Sequence, residues 1–304
     1  NRAAENLAIT ALTFNDYPNI VRAMMEVKKA CALANKDAGA LEAGVAGAVI
    51  AACDEVIRGK HADQFPPGCF RGCGNSLNMN CNEVLANRAN VMITGRKGYD
   101  VVHPNTHVNM GQSSNDAFPT AAAIAMHREA EAALKELRAL EKAMEEKAIQ
   151  WPDVVRLGRT CYQDAVPVTV GQAFSGNAAL VARCRDAFEH ILAGGPRGIL
   201  GATAIGTGIG VHSGFLDHVY RHLREVTGLN VTRKQKLFDG MQNSDGYMAI
   251  SSAVRATAGA LGKLAADLRF LSSGPAAGIG EIHFADTDGE ARALHTLDFL
   301  PQVM

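Results

Sequence analysis

The sequence predicts an all-α protein, an elongated bundle of long helical rods with a smaller, mainly helical N-terminal domain. Three observations carry that expectation. Apolar residues fill 47% of the 304 positions but aromatics only 6%, and Ala and Gly are abundant, which suits close-packed helices better than a β-sandwich core. In the second half, apolar side chains recur at heptad spacing over long stretches. Pro and Gly gather mainly outside those stretches.

The elements follow in order. Pro18 is placed as a first helical residue after Asp16 as N-cap, and Ile20, Met24, Val27 and Cys31 recur on one face. A second helix is expected from Val45 to Ile57, with Val45, Val49, Cys53 and Val56 on one stripe. Between Gly59 and Asn80 the density of Gly, Pro and Asn predicts an irregular stretch, the kind of loop that often carries function. After Pro119 neither Pro nor Gly interrupts the chain through Gln150, and Ala130, Ala133, Leu137, Leu140 and Met144 hold heptad spacing. This reads as one rod of about 30 residues, roughly 45 Å long at 1.5 Å per residue. A second rod is expected from about Gly171 to Leu192, with Phe174, Ala178, Val181 and Phe188 inward. A third carries two heptad lines, Tyr247, Val254, Leu261, Leu268 and Ile250, Thr257, Leu264, Leu271. Small residues such as Ala256, Gly259 and Gly262 would let another helix approach closely, or simply reflect Ala as a good helix former. Rods of this length cannot bury their stripes in one small globule, so packing against other chains is expected.

Composition narrows the function classes. A formal charge of −1 gives no electrostatic reason to expect nucleic acid or an anionic membrane as partner. No apolar run approaches the roughly 20 residues that span a bilayer, so no membrane partner is expected. The seven Cys are odd in number and scattered, which reads as reduced thiols of a cytoplasmic protein. Cys69, Cys73 and Cys81, with His61, match no zinc spacing, and no metal is expected.

Three polar runs carry the chemistry. Gly111-Gln112-Ser113-Ser114-Asn115-Asp116-Ala117-Phe118-Pro119-Thr120 stands where the first rod begins. Ser, Asn and Asp there are ordinary N-cap material, and they are equally a compact donor set beside free helix N–H groups, suited to a carboxylate. Gly158 to Gln172 is richer in polar groups than capping requires, and Leu200 to Gly208 has the Gly and Thr content of a tight loop. That loop is no phosphate cradle, because no Gly-Lys-Ser/Thr follows.

Taken in order, these runs resemble the signatures of the aspartase/fumarase superfamily. Asn78 to Arg88, His103-Pro104-Asn105 and Leu271-Ser272-Ser273-Gly274-Pro275 are similar to the family as well. Asp164-Ala165-Val166-Pro167, Gly201 to Gly208 and His107-Val108-Asn109 lean toward its aspartase branch rather than its fumarase branch. The resemblance implies removal of the β-proton of L-aspartate through an aci-carboxylate intermediate, then loss of ammonia to give fumarate, with no metal or organic cofactor. Fumarase-type hydration and a non-catalytic family remnant are the alternatives. It implies a homotetramer acting on a small dicarboxylate held by Asn75, Ser113, Ser114, Asn115, Thr160 and Cys161. Asn75 stands where the family has a substrate-binding Thr, and Gly111 where Ser is common. Cys161, where His or Gln is usual, reads as a weak donor or as a small buried thiol.

The likeness extends from Asn1 to about Ile282. The family continues into a mobile loop of the type Gly-Ser-Ser-x-Met-Pro-x-Lys-x-Asn, whose second Ser is the general base. Residues 283–304 do not match it. The catalytic base is therefore unassigned, and the family's C-terminal part is expected to be missing. On this reading residues 1–112 form the N-terminal domain, 113–282 an incomplete long-helix bundle and 283–304 an unmatched tail.

Overall fold

Fixed φ at Pro18 opens the first described helix, α1 (Pro18–Asp37), whose buried face carries Val21, Met24, Val27 and Cys31. In this computed structural model, which describes residues 17–65, 73–274 and 276–284, the N-cap is Tyr17, without a side-chain cap, rather than Asp16. Helix α2 (Ala43–Ile57) begins two residues earlier than its apolar stripe. Glu42 caps it by accepting the Gly44 and Val45 N–H groups at 2.8 Å each.

The described residues divide into two compact units, those within 17–129 and 194–244, and those within 130–193 and 245–284. In the first, α1 packs against α2 and against α6 (Phe215–Thr227), while α2 packs against α3 (Cys73–Thr94). Helix α6 is framed by left-handed glycines, Gly214 and Gly228, and buries Phe215, Val219 and Leu223. A π-helical turn spans Pro104–Val108. The two-residue strands β3 (Arg197–Gly198) and β4 (Thr232–Arg233) pair in parallel, and the short helix α7 (Leu237–Gln242) follows.

The start of α3 overturns the expectation that residues up to Asn80 are irregular. Gly74, Asn75, Ser76, Asn78 and Asn80 are poor helix formers, yet all lie in the helix. Packing overrides propensity here. Leu77, Cys81, Leu85 and Ala89 recur at i, i+4 and are fully or almost fully buried, and Asn80 donates to the Gln64 carbonyl at 3.0 Å.

Helix α4 (Ser114–Gln150) is longer than expected, because it starts five residues before Pro119 and contains that proline within its second turn. It contributes residues through Glu129 to the first unit and from Ala130 to the second. In the second unit Ala130, Leu137 and Met144 of α4 meet Ala178, Val181 and Phe188 of α5 (Val170–Leu192) and Leu264 of α8 (Asp245–Leu271) in one apolar cluster. Phe174, Leu140, Leu261 and Leu268 pack around it, as the heptads predicted. Each large apolar side chain buried there contributes roughly 1.5–3 kcal/mol.

An antiparallel hairpin interrupts the helices: β1 (Val155–Thr160) pairs with β2 (Gln163–Thr169), Thr160 opposite Gln163. The run from Gly158 to Gln172 therefore forms mostly hairpin, and only its end opens α5, through a capping box in which Thr169 and Gln172 exchange hydrogen bonds. The fold is nonetheless the predicted helical one, with few strands. Among the described residues, no helix is long and apolar enough to cross a membrane.

Candidate functional site

Two helix N termini meet at a cleft in the first unit, with a volume of about 570 Å³. Gly74 and Asn75 come from the first turn of α3, and Ser114 and Asn115 from the first turn of α4. Ala204 and Ile205 approach from the loop after β3, and Phe238 and Gln242 from α7. Every lining residue is uncharged. An anion entering there would meet two positive dipole ends and neutral amide and hydroxyl donors. Gly74 has to be glycine, because a Cβ would overlap the Phe118 ring.

The first turn of α4 divides its polar groups between structure and cleft. Ser113 is the cap: its Oγ accepts the Asn115 N–H at 3.1 Å, and its own N–H donates to Asp116 Oδ1 at 2.8 Å. The other Asp116 oxygen accepts the Thr203 N–H at 2.8 Å, tying the Gly201–Gly208 loop to the helix. Asp116 is fully buried. Burial pushes its carboxyl up to about 6, against the pull of the Ser113 and Thr203 N–H groups and the Lys28 charge. Asn115 is the second tie, donating from Nδ2 to the Ala204 carbonyl at 2.9 Å. The loop turns through left-handed Gly201, Thr203, Gly206 and Gly208, which brings Ala204 and Ile205 to the cleft wall.

Behind Ser114 lies a buried polar layer. Asn78 Nδ2 donates to Ser114 Oγ at 2.9 Å and to Asn109 Oδ1 at 3.2 Å. Lys28, wholly buried, donates to Asn109 Oδ1 and Gln112 Oε1, both at 2.8 Å. Burial lowers its ammonium to about 8, since no carboxylate pairs with it within ion-pair distance among the described residues.

Asn75, Ser114 and Asn115 thus share one cleft, and Ser113 sits one residue behind as its cap. Thr160 and Cys161 belong to the second unit, at the hairpin end. Cys161 and Tyr162 form its two-residue turn, both with positive φ (48° and 62°). The turn places Cys161 in solvent, so the expectation of a small buried thiol is wrong. Elsewhere on the hairpin, Arg156 and Arg159 of β1 both clasp Glu281, at 3.2 and 2.6 Å. The imagined Cys69, Cys73 and Cys81 metal group is only partly visible. Cys81 is buried in the core, and the other two side chains lie outside the described residues. Among the described residues no His, Cys, Asp and Glu cluster could hold a metal ion.

Sequence reasoning passed over Lys28, Asn78, Asn109, Gln112 and Asp116 as site residues. One signal was present: Lys28 lies on the apolar stripe of α1, one turn after Met24 and between Val27 and Cys31, where a solvated Lys has no place.

Comparison with known proteins supplies the family. A family model described as lyase matches residues 2–290. The aspartate ammonia-lyase of Bacillus subtilis (strain 168) is 38% identical over 288 residues, covering 92% of this chain and 59% of that protein. The class II fumarate hydratase of Ralstonia nicotianae is 41% identical over 276 residues, covering 88% and 59%. The crystal structure of class II fumarase from Schistosoma mansoni superposes with a TM-score of 0.90 at 30% identity, covering all of this chain and 69% of that one. The chain therefore spans about three fifths of the length of the curated relatives it matches.

Proposed function

This chain belongs to the lyase family, and on that premise we propose that its cleft binds a small dicarboxylate as part of an ammonia-lyase converting L-aspartate to fumarate and ammonia. The observation that carries the reading is the convergence of Asn75, Ser114 and Asn115, from two helix N termini, on a cleft without charged side chains. Removing the β-proton turns the adjacent carboxylate into an aci-carboxylate with additional negative charge. Fixed donors that need no reorganisation stabilise that charge more than they stabilise the substrate. None of the described residues lining the cleft would serve as the proton acceptor; the cleft supplies binding and charge stabilisation. Thr160 and Cys161 are proposed as further carboxylate contacts, on the resemblance alone.

The aspartase reading is favoured by Asp164-Ala165-Val166-Pro167 and His107-Val108-Asn109. Hydration of fumarate is the second reading, supported by class II fumarate hydratases at 41% identity. Assembly into homo-oligomers belongs to the proposal in either case. The purified chain separates the readings. Growth of the fumarate absorbance band with aspartate and not with malate selects the ammonia-lyase, and the reverse selects the hydratase. Binding of fumarate without turnover of either substrate selects a non-catalytic family member. Ser114→Ala and Asn115→Ala should each weaken fumarate binding by about tenfold or more, the loss of one hydrogen bond to a charged ligand. No binding of any four-carbon dicarboxylate would overturn the reading.

A further inference from the structure

Hydrogen-bond direction can be traced inward from the cleft to the Lys28 ammonium and the Gln112 backbone carbonyl, which hold Asn109 in the same sense. The Ser114 hydroxyl accepts from Asn78 Nδ2, so its own hydrogen is left to point elsewhere. Asn78 presents its nitrogen to Ser114 because that nitrogen also donates to Asn109 Oδ1. Asn109 presents its oxygen because Lys28 donates to the same atom, and the Asn109 nitrogen donates to the Gln112 carbonyl at 3.1 Å. Gln112 is oriented likewise, its oxygen toward Lys28 and its nitrogen toward the Val108 and Met110 carbonyls.

Each amide in this chain could in principle be reversed end for end, but an ammonium cannot, since it has donors and no acceptor. The observed direction also leaves something unmatched. Asn78 Oδ1 is buried with no hydrogen-bond partner among the described residues. An arrangement that leaves an acceptor unpaired persists only if something stronger imposes it. Lys28 is wholly buried, and its ammonium donates to Asn109 and Gln112.

We propose that Lys28 is a positioning residue for the cleft: through Asn109 and Asn78 it sets the polarity of the hydrogen-bond chain so that Ser114 donates its hydroxyl hydrogen to the bound carboxylate. Without the ammonium only the Gln112 carbonyl still orients Asn109; where Asn109 and then Asn78 reverse, Asn78 Oδ1 takes the Ser114 hydrogen, and the serine meets the carboxylate with lone pairs. This inference rests on the reading of the cleft as a carboxylate site.

Two measurements on the whole chain test it. The first is a double-mutant cycle read by calorimetric binding of succinate, a dicarboxylate that does not react. Lys28→Met should weaken succinate binding about tenfold or more in the otherwise unchanged protein, and less than about twofold in a Ser114→Ala background. Asn109→Leu breaks the link while Lys28 remains, and should reproduce the loss should Lys28→Met fail to fold. The second measurement needs no ligand: with 15N-labelled asparagine, the side-chain amide signals of Asn78 and Asn109 should shift in Lys28→Met. An equal loss of succinate affinity with and without Ser114 would overturn the proposal, because Lys28 would then act by its field or by folding. Unshifted Asn78 signals would overturn it whatever succinate does. If the signals shift but the unchanged protein binds no succinate, the polarity assignment stands and the carboxylate reading of the cleft fails.

Discussion

Asp116 shows how one side chain can be both a helix cap and a pH-dependent weakness. Its two oxygens hold the Ser113 and Thr203 N–H groups, so ionisation strengthens both ties, yet burial outweighs them and raises its carboxyl from 3.8 to about 6. A group whose folded value is raised stabilises the fold fully below its unfolded value, and that contribution is lost as pH rises through the folded value. The window here is therefore pH 4 to 6. Measured by urea unfolding, the stability of the protein relative to Asp116→Asn should fall by about 2 kcal/mol as pH rises from 4 to 7, one pKa unit corresponding to about 1.4 kcal/mol. A difference that stays flat across that range would show that Asp116 titrates normally. The polar run around Asp116 stood out as a candidate site through the family resemblance, since Ser, Asn and Asp ahead of a helix are by themselves ordinary N-cap material. What was not legible was the division of labour within it. Whether Ser113 caps and Ser114 faces the cleft depends on the turn in which the helix starts, and Pro119 pointed to a later start than the structure has.

At the scale of elements, heptad spacing gave α4, α5 and α8 because long rods repeat one signal many times. The hairpin escaped because its turn carries none of the usual marks. A two-residue turn with both residues at positive φ is normally Asn-Gly or Asp-Gly, and here it is Cys161-Tyr162. Holding ordinary L residues in that region costs roughly 1–2 kcal/mol each. Tyr162 recovers part of that cost, since its ring meets Phe270 edge-on with centroids 5.2 Å apart, an arrangement worth about 0.5–1.5 kcal/mol. Cys161 has no such compensation and is exposed. Cys161→Asn should therefore raise the unfolding free energy by about 0.5–1 kcal/mol, read as a higher melting temperature, because Asn tolerates the left-handed region. Tyr162→Gly should be close to neutral, backbone relief offsetting the lost ring contact. A Cys161→Asn protein that melts lower would mean that the thiol makes a contact the turn depends on. The start of α3 escaped for the opposite reason: its Gly and Asn content signals a loop, and only burial of Leu77, Cys81 and Leu85 from neighbouring elements makes it a helix.

At the scale of the whole molecule, the described residues leave part of the α8 surface uncovered. Helix α8 carries heptad lines along its whole length, but its buried residues, Thr257, Gly262, Leu264 and Ala265, begin only near its middle. Val254, on the same line as Leu261 and Leu268, is 49% exposed, and Met248 is 64% exposed. Tyr247 and Ile250 are half-buried; an amphipathic helix gains most of its stability from packing its apolar face, so the exposed Val254 and Met248 favour another surface. Copies of the same chain are the partner proposed, because the seam is continuous with the part of α8 that already packs against α5. Sedimentation of the purified chain should then show assembly that rises with concentration, and Val254→Glu with Met248→Glu should shift it toward monomer while leaving the helical circular dichroism unchanged. A charge placed in such a seam is desolvated on association and opposes it. If the original chain sediments as a monomer at every concentration tested, the exposed part of α8 is not an interface between copies, and the oligomeric part of the proposal fails without touching the cleft.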